Sequence, residues 1–253
     1  MECITSRNNE KVKYACSLKK TGAQGADAVL AEGLRLCADA AANGVEMETC
    51  FLTAKWQQDP KAKKIIAASR SVYLIEEHIS EKLADTKHPQ GIFCICKKPT
   101  AVHTVDTKGK YLFLENIRDP GNFGTMMRTA EAFGLSGIMA YGCCDAFSPK
   151  VMRASMGAVF RFPVIEVADE NDFLAGLTAA GMRLYCSVVE ADAADVSVLS
   201  GKQGIITAVG NEANGLSESI ITRGTRITIH MSGRAESFNA SQAATVMMYE
   251  MSK

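Results

Sequence analysis

An α/β fold in two parts is the architecture this sequence predicts, and three observations predict it. Short apolar runs and amphipathic stretches alternate along almost the whole chain. A polar segment from Lys97 to Lys110 interrupts that alternation once, near where a domain of about a hundred residues would end. The 253 residues are 47% hydrophobic and 22% charged, which suits packed cores and argues against wholesale disorder.

The elements follow in order. In a first domain, 1–98, an amphipathic helix is expected from about Asn9 to Lys20, with Val12, Ala15, Cys16 and Lys19 along one side. A strand at Ala28–Ala31, a helix from Gly33 to Asn43 and a strand near Met47 to Thr53 come next. Pro60, whose fixed φ suits a first helical turn, opens a helix to about Ser69. Strands are expected at Ser71–Ile75 and Gly91–Cys96, with a short helix between them. Residues 99–110 read as a linker. In the second domain, 111–253, strands are expected at Tyr111–Glu115, Gly137–Tyr141, Phe162–Val167, Arg183–Val188, Gly204–Val209 and Thr225–Ile229, and a helix from Phe238 to Met251 closes it. Repeated βα units imply a parallel sheet covered on both faces, with ligands beyond the carboxyl ends of the strands.

Charge and cysteine usage narrow the function. The chain carries 28 basic and 28 acidic residues, so whole-molecule electrostatics attracts no polyanion. Divided at residue 110, however, the first part has 17 basic and 13 acidic residues, and 14 of those bases are Lys. The second part has 11 basic and 15 acidic residues, and 8 of its bases are Arg. Lys gives long-range attraction, while the rigid Arg fork places individual phosphates. The opening MECITSRNNEKVKY has no apolar core of signal-peptide length, and no apolar run reaches ~18 residues, so a cytoplasmic protein that does not engage a membrane is expected. Nine cysteines without a C-x-x-C pair read as reduced, mostly structural thiols; no metal is expected.

Three loops after strong strands carry the chemistry. The first, Asn116 to Gly124, contains Asn122 and enters a helix that displays Arg128. Its Pro and Gly residues mark a tight turn, and the helix start offers backbone N–H groups to an anion. The plainer alternative is that Arg128 merely pairs with Glu131. The second loop, Val209-Gly210-Asn211-Glu212-Ala213-Asn214-Gly215-Leu216-Ser217, has Walker-like glycine spacing, but Leu216 stands where the essential Lys would be. Glu212 is placed to pin such a loop, or to cap the short helix after Ser217. The third, Ile229-His230-Met231-Ser232-Gly233 through Glu236-Ser237-Phe238-Asn239, runs into a helix, with Ser237 or Asn239 as natural N-cap. His230 has no metal-ligand partner at suitable spacing. G-x-G-x-x-G and G-x-S-x-G are both absent, against an ordinary dinucleotide site or a serine hydrolase.

With these loops in this order, the sequence resembles the SpoU (TrmH-like) family of RNA ribose 2′-O-methyltransferases. The resemblance rests on Asp-Pro-Gly-Asn-Phe-Gly, Met-Met-Arg and Ala-Phe-Gly at 119–134, the second loop at 209–217, and Ile-His-Met-Ser-Gly with Glu-Ser-Phe-Asn-Ala-Ser at 229–241. Ala31-Glu-Gly-Leu-Arg35 and His88-Pro-Gln-Gly91 are similar to the substrate-binding domain often fused ahead of it. The resemblance implies an α/β-knot (SPOUT, deep trefoil knot) domain behind a smaller L30e-like α/β domain, and a homodimer. It implies S-adenosylmethionine held by Val209, Gly210, Asn211, Gly215, Ile229, Met231, Gly233 and Phe238, with backbone close to the nucleoside at the three glycines. Arg128, Asn122, Glu212, Ser237 and Asn239 would be the catalytic set. His230 and Phe238 depart from the family's usual Pro and Leu. Structured ribosomal RNA is the preferred substrate, with transfer RNA second. The rival classes are a catalytically silent RNA-binding knot protein and a nucleotide enzyme on a Rossmann-type fold.

Overall fold

Asn9 starts the first helix by accepting the Lys11 N–H at 2.9 Å, and the same kind of local capping recurs at Asp119, Ser148, Asp169 and Asn239. In the computed structural model, which describes residues 1–19, 26–100, 104–211 and 213–253, two units separate: residues 1–100 with 145–161, and 101–144 with 162–253.

The first unit runs β1 (Glu2–Ile4), α1 (Glu10–Ser17), β2 (Ala28–Glu32), α2 (Leu34–Ala42), β3 (Met47–Leu52), α3 (Lys63–Ala68), β4 (Ser69–Ile75), α4 (Glu77–Leu83) and β5 (Ile92–Lys97). Its sheet has the order β1-β4-β3-β5-β2, parallel from β1 to β3 and antiparallel where β5 pairs with β3 and β2. Phe51, Phe93, Ile75, Ile79 and Leu83 pack one core of this unit, with Val12 and Ala15 of α1 against them. Pro60 opens a 3-10 turn rather than the helix itself, and α3 follows directly from it. Residues 145–161, which the sequence reading put in the second domain, cluster here. Their helix α6 (Pro149–Ala154) buries Val151 and Met152.

The second unit comprises β6 (Lys110–Glu115), α5 (Pro120–Ala132), β7 (Gly137–Tyr141), β8 (Val164–Val167), α7 (Glu170–Ala179), β9 (Arg183–Ser187), β10 (Ala194–Asp195), β11 (Ile205–Val209), α8 (Glu218–Ile221), β12 (Thr225–Thr228) and α9 (Ala240–Ser252). Its order is β10-β12-β9-β11-β6-β7-β8, and every pairing is parallel. Central β11 and β6 are buried along nearly their whole length, as strands covered on both faces must be. The chain builds outward from β6 through β7 to β8 and then crosses back to β9, so the order reverses beside β6. Open parallel sheets offer their ligand crevice at such a reversal. Among the described residues, no helix is long and apolar enough to cross a membrane.

Candidate functional site

Three strand ends and the start of one helix enclose the main cleft of the second unit. Ser187 to Glu190 at the end of β9, Val209, Gly210, Asn211, Ala213, Asn214 and Gly215 at the end of β11, and Thr228, Ile229 and Met231 at the end of β12 form its walls, and Ala240, Ala243 and Met247 of α9 close it. The cavity is about 460 Å³.

The middle loop holds itself in shape. The Asn211 side chain accepts the N–H groups of Ala213 and Asn214 at 2.9 and 2.8 Å, and the Gly215 N–H returns to the Asn211 carbonyl at 2.9 Å. A Cβ at Gly210 would lie 2.0 Å from the Gly215 carbonyl carbon, and Gly215 itself has φ +69°. Closure of the loop on itself therefore requires glycine at 210, without appeal to a ligand. At Gly233, by contrast, an added Cβ would meet nothing and φ is unexceptional, and the residue does not line the cleft. One anchor lies outside the loop: Glu115 at the end of β6, 3% exposed, accepts the Ser217 N–H at 2.7 Å. Burying a carboxylate is costly unless it is hydrogen-bonded, and this bond ties the loop to the central strand.

Of the residues singled out from the sequence, Val209, Gly210, Asn211, Gly215, Ile229, Met231, Phe238 and Ser237 line the cleft. Asn239 does not; it caps α9, its side chain accepting from the Ser241 N–H at 2.9 Å and from the Ser241 hydroxyl. Glu212 lies outside the described residues. Asn122 and Arg128 sit on α5 and do not line the cleft. The anion place at the α5 start is partly taken by the chain itself, because Asp119 accepts the Asn122 N–H at 2.7 Å. Arg128 is exposed and forms no hydrogen bond or ion pair among the described residues, so the pairing with Glu131 is absent. His230 is an exposed loop residue, 4.0 Å from the Asp195 carboxylate. The hydroxyl and N–H of Ser197, then nearby His230, hold that carboxyl below its usual range.

Sequence reasoning missed the fourth wall, Ser187-Val188-Val189-Glu190. No Gly, Pro or Asn marks it as a turn; the only available signal was its place after a parallel strand. Val189 is 67% exposed and Phe238 44%, two uncovered apolar side chains at one cleft. Apolar side chains beside a few strand-end backbone groups are the combination that small-molecule sites use.

The description "SpoU rRNA Methylase family" matches residues 109–249, more than half of the chain. The chain belongs to the SpoU rRNA methylase family. A second match, the MRM3-like substrate binding domain, covers residues 9–94. Over 98% of its length this SpoU chain is 30% identical to an uncharacterized tRNA/rRNA methyltransferase of Synechocystis, covering 92% of that protein. It is 29% identical to a 23S rRNA (guanosine-2′-O)-methyltransferase of Bacillus subtilis, over 71% of each. The crystal structure of an AdoMet-bound rRNA methyltransferase from Sinorhizobium meliloti superimposes with a TM-score of 0.85 at 29% identity, covering 99% of this chain and 97% of that one. The parallel α/β architecture is thus the SPOUT fold, and as a SpoU methylase the protein is an RNA methyltransferase.

All nine cysteines of this SpoU chain are free, and Cys37, Cys50, Cys94, Cys96 and Cys186 are buried. Burial, with Cys37 and Cys50 alongside, pushes the Cys94 and Cys96 thiols well up, and burial raises Cys143 and Cys186 to about 12. Cys143 donates to the carbonyls of Leu114 and Tyr141 at 3.3 and 3.5 Å, joining the ends of β6 and β7. Among the described residues, no group of His, Cys, Asp and Glu is arranged to hold a metal ion.

Proposed function

We propose that this protein methylates a ribose 2′-OH of ribosomal RNA, with S-adenosylmethionine as methyl donor. The observation that carries the reading is the cleft, where seven of the eight residues expected at the cofactor line one cavity beside exposed Val189 and Phe238. Residues 1–98 act as the RNA-binding domain and 111–253 as the methyltransferase domain, joined through 99–110. The chain works in the cytoplasm as a homodimer, with half-exposed Tyr249 on α9 available to a second copy, and without a metal.

The donor supplies a methyl group on a leaving group that needs no further activation. The protein's share is orientation, exclusion of water and help with the hydroxyl proton. The Asn211-braced loop and the 229–231 backbone hold the nucleoside, and Met231, Met247 and Phe238 cover its apolar faces. Glu212 keeps, by resemblance, the role of fixing that loop. A guanidinium stays protonated and is a very poor base. Arg128 therefore grips the target phosphate and ribose, which its exposed fork suits; as the 2′ oxygen takes the methyl group the donor leaves as a neutral thioether, and the hydroxyl proton is relayed late to solvent water. Asn122 positions Arg128, while Ser237 meets ligand or phosphate. Asn239 acts through its cap, setting the start of α9 against the cleft.

Arg128→Ala tests this. Methyl transfer to unmodified ribosomal RNA should fall by at least about 100-fold while calorimetric binding of S-adenosylmethionine is unchanged. Full transfer with normal donor binding would remove Arg128 from the site. Sedimentation of the wild-type sample should give twice the 27.2 kDa chain mass, and a monomer at working concentration would reject the dimer.

A further inference from the structure

The first unit holds a cavity of about 300 Å³ that the methyl-transfer site does not use. It opens between the first turn of α2, residues 86–90 and α6. The floor is apolar: Leu36 and Met152 are buried and Met156 is half-buried. Most polar groups around it are already committed. Glu32 accepts the Asp85 N–H at 2.8 Å and the Thr86 hydroxyl, Arg153 pairs with Asp85 at 2.7 Å, and the Gln90 side chain accepts the Leu34 N–H at 2.8 Å. Arg35 and His88 are the exceptions. Both are exposed at the rim, and neither makes a hydrogen bond or ion pair with a described residue.

The cavity is also held in shape at a cost. Met156 has φ +52°, a conformation unfavourable for any residue with a side chain, and Gly157 follows at φ +81°. A Cβ at Gly157 would come within 2.5 Å of the Asp39 carboxylate, so the turn is pressed onto α2. Beside the rim, Trp56 donates its indole N–H to the Gln90 carbonyl, and Lys55 lies 5.7 Å above its ring.

We infer that this cavity receives one unpaired RNA nucleotide, its base against Leu36, Met152 and Met156 and its phosphate on Arg35 and His88. The inference rests on the reading of the chain as an RNA methyltransferase and deepens it. Single-stranded RNA is held by placing splayed bases on flat or apolar surfaces while cations take the phosphates, and the rim combines both with uncommitted donors. The surplus of four positive charges over residues 1–110 favours such a polyanion over an acidic-surface partner of mixed charge.

The test uses the full chain and transcribed, unmodified 23S ribosomal RNA in filter binding. An Arg35→Ala/His88→Ala double variant should bind roughly tenfold more weakly, with thermal midpoint and S-adenosylmethionine affinity unchanged. Transcripts carrying 4-thiouridine or 6-thioguanosine should cross-link to the peptide containing Met152 and Met156, and the double variant should lose that cross-link. Wild-type affinity in the double variant, or cross-links only elsewhere, would overturn the inference while leaving methyl transfer by the wild type intact. Competition by free nucleoside monophosphates at micromolar concentration would assign the cavity to a small ligand and overturn it too. If the wild type neither binds nor methylates the RNA, the inference falls together with the functional reading.

Discussion

Glu115 shows how much a single buried residue contributes to the site without touching it. The carboxylate ends β6 almost wholly out of solvent, and its hydrogen bond from the Ser217 N–H fastens the loop that carries Asn211 and Gly215. Removing the acceptor leaves a backbone donor unpaired, and such groups cost about 1–3 kcal/mol. Glu115→Ala should therefore lower the unfolding free energy by about that amount in urea titration and weaken S-adenosylmethionine binding in parallel. Glu115→Gln, which keeps an acceptor of the same shape, should recover most of both. If the alanine variant melts and binds as the wild type does, the loop is held by something else. No feature of the sequence singled out Glu115, because a charged residue at the end of an apolar run ordinarily signals a strand reaching solvent. Arg128 is the opposite case. Its place one turn after the glycine-rich loop was evident in the sequence, and the structure leaves it exposed and without a partner among the described residues.

Among the elements, the loop after β11 separates two reasons for glycine that a sequence cannot tell apart. Gly210 is required by closure against Gly215, whereas Gly233 has open space where a side chain would begin. Gly210→Ala should destabilise the protein by about 1–3 kcal/mol, as overpacking does, and abolish measurable donor binding. Gly233→Ala should keep stability within about 0.5 kcal/mol. Equal melting curves for both variants would show that the loop rearranges freely. The parallel strands of the second unit were legible for a physical reason: burial on both faces turns β6, β7, β9 and β11 into continuous apolar runs. β1 and β10, with three and two residues, are too short to show any period. The wall after β9 was hidden because Ser-Val-Val-Glu reads as more strand. The closing helix was expected from Phe238 and begins at Ala240, since Asn239 spends its side chain on the cap and leaves Phe238 in the loop.

For the whole molecule, the division of charge was readable from composition, but the division of the chain was not. Residues 145–161 lie within the family's methylase span, 109–249, yet they cluster with the first unit and bury Val151, Met152, Val159 and Phe160. Only tertiary contacts reveal that, and the finding bears on how RNA binding can be tested. Deleting residues 1–100 would strip this segment of its packing partner and uncover those side chains, so lost activity would not distinguish lost RNA contact from misfolding. Neutralising surface charge avoids the problem. Lys55, Lys61, Lys63 and Lys64 are all exposed, on or beside the turns and helix that link β3 to β4, and none of the four forms a salt bridge among the described residues. Each Lys that meets a phosphate releases roughly one condensed counterion, which steepens the fall of affinity with salt. A Lys55→Gln/Lys61→Gln/Lys63→Gln/Lys64→Gln variant should therefore bind transcribed ribosomal RNA with a log–log salt slope shallower by about three. Its affinity for S-adenosylmethionine and its thermal midpoint should match the wild type, because none of the four is buried or lines the cleft. Parallel salt plots for the two proteins would mean that this stretch meets no phosphate, and that the excess of Lys in the first domain serves solubility alone.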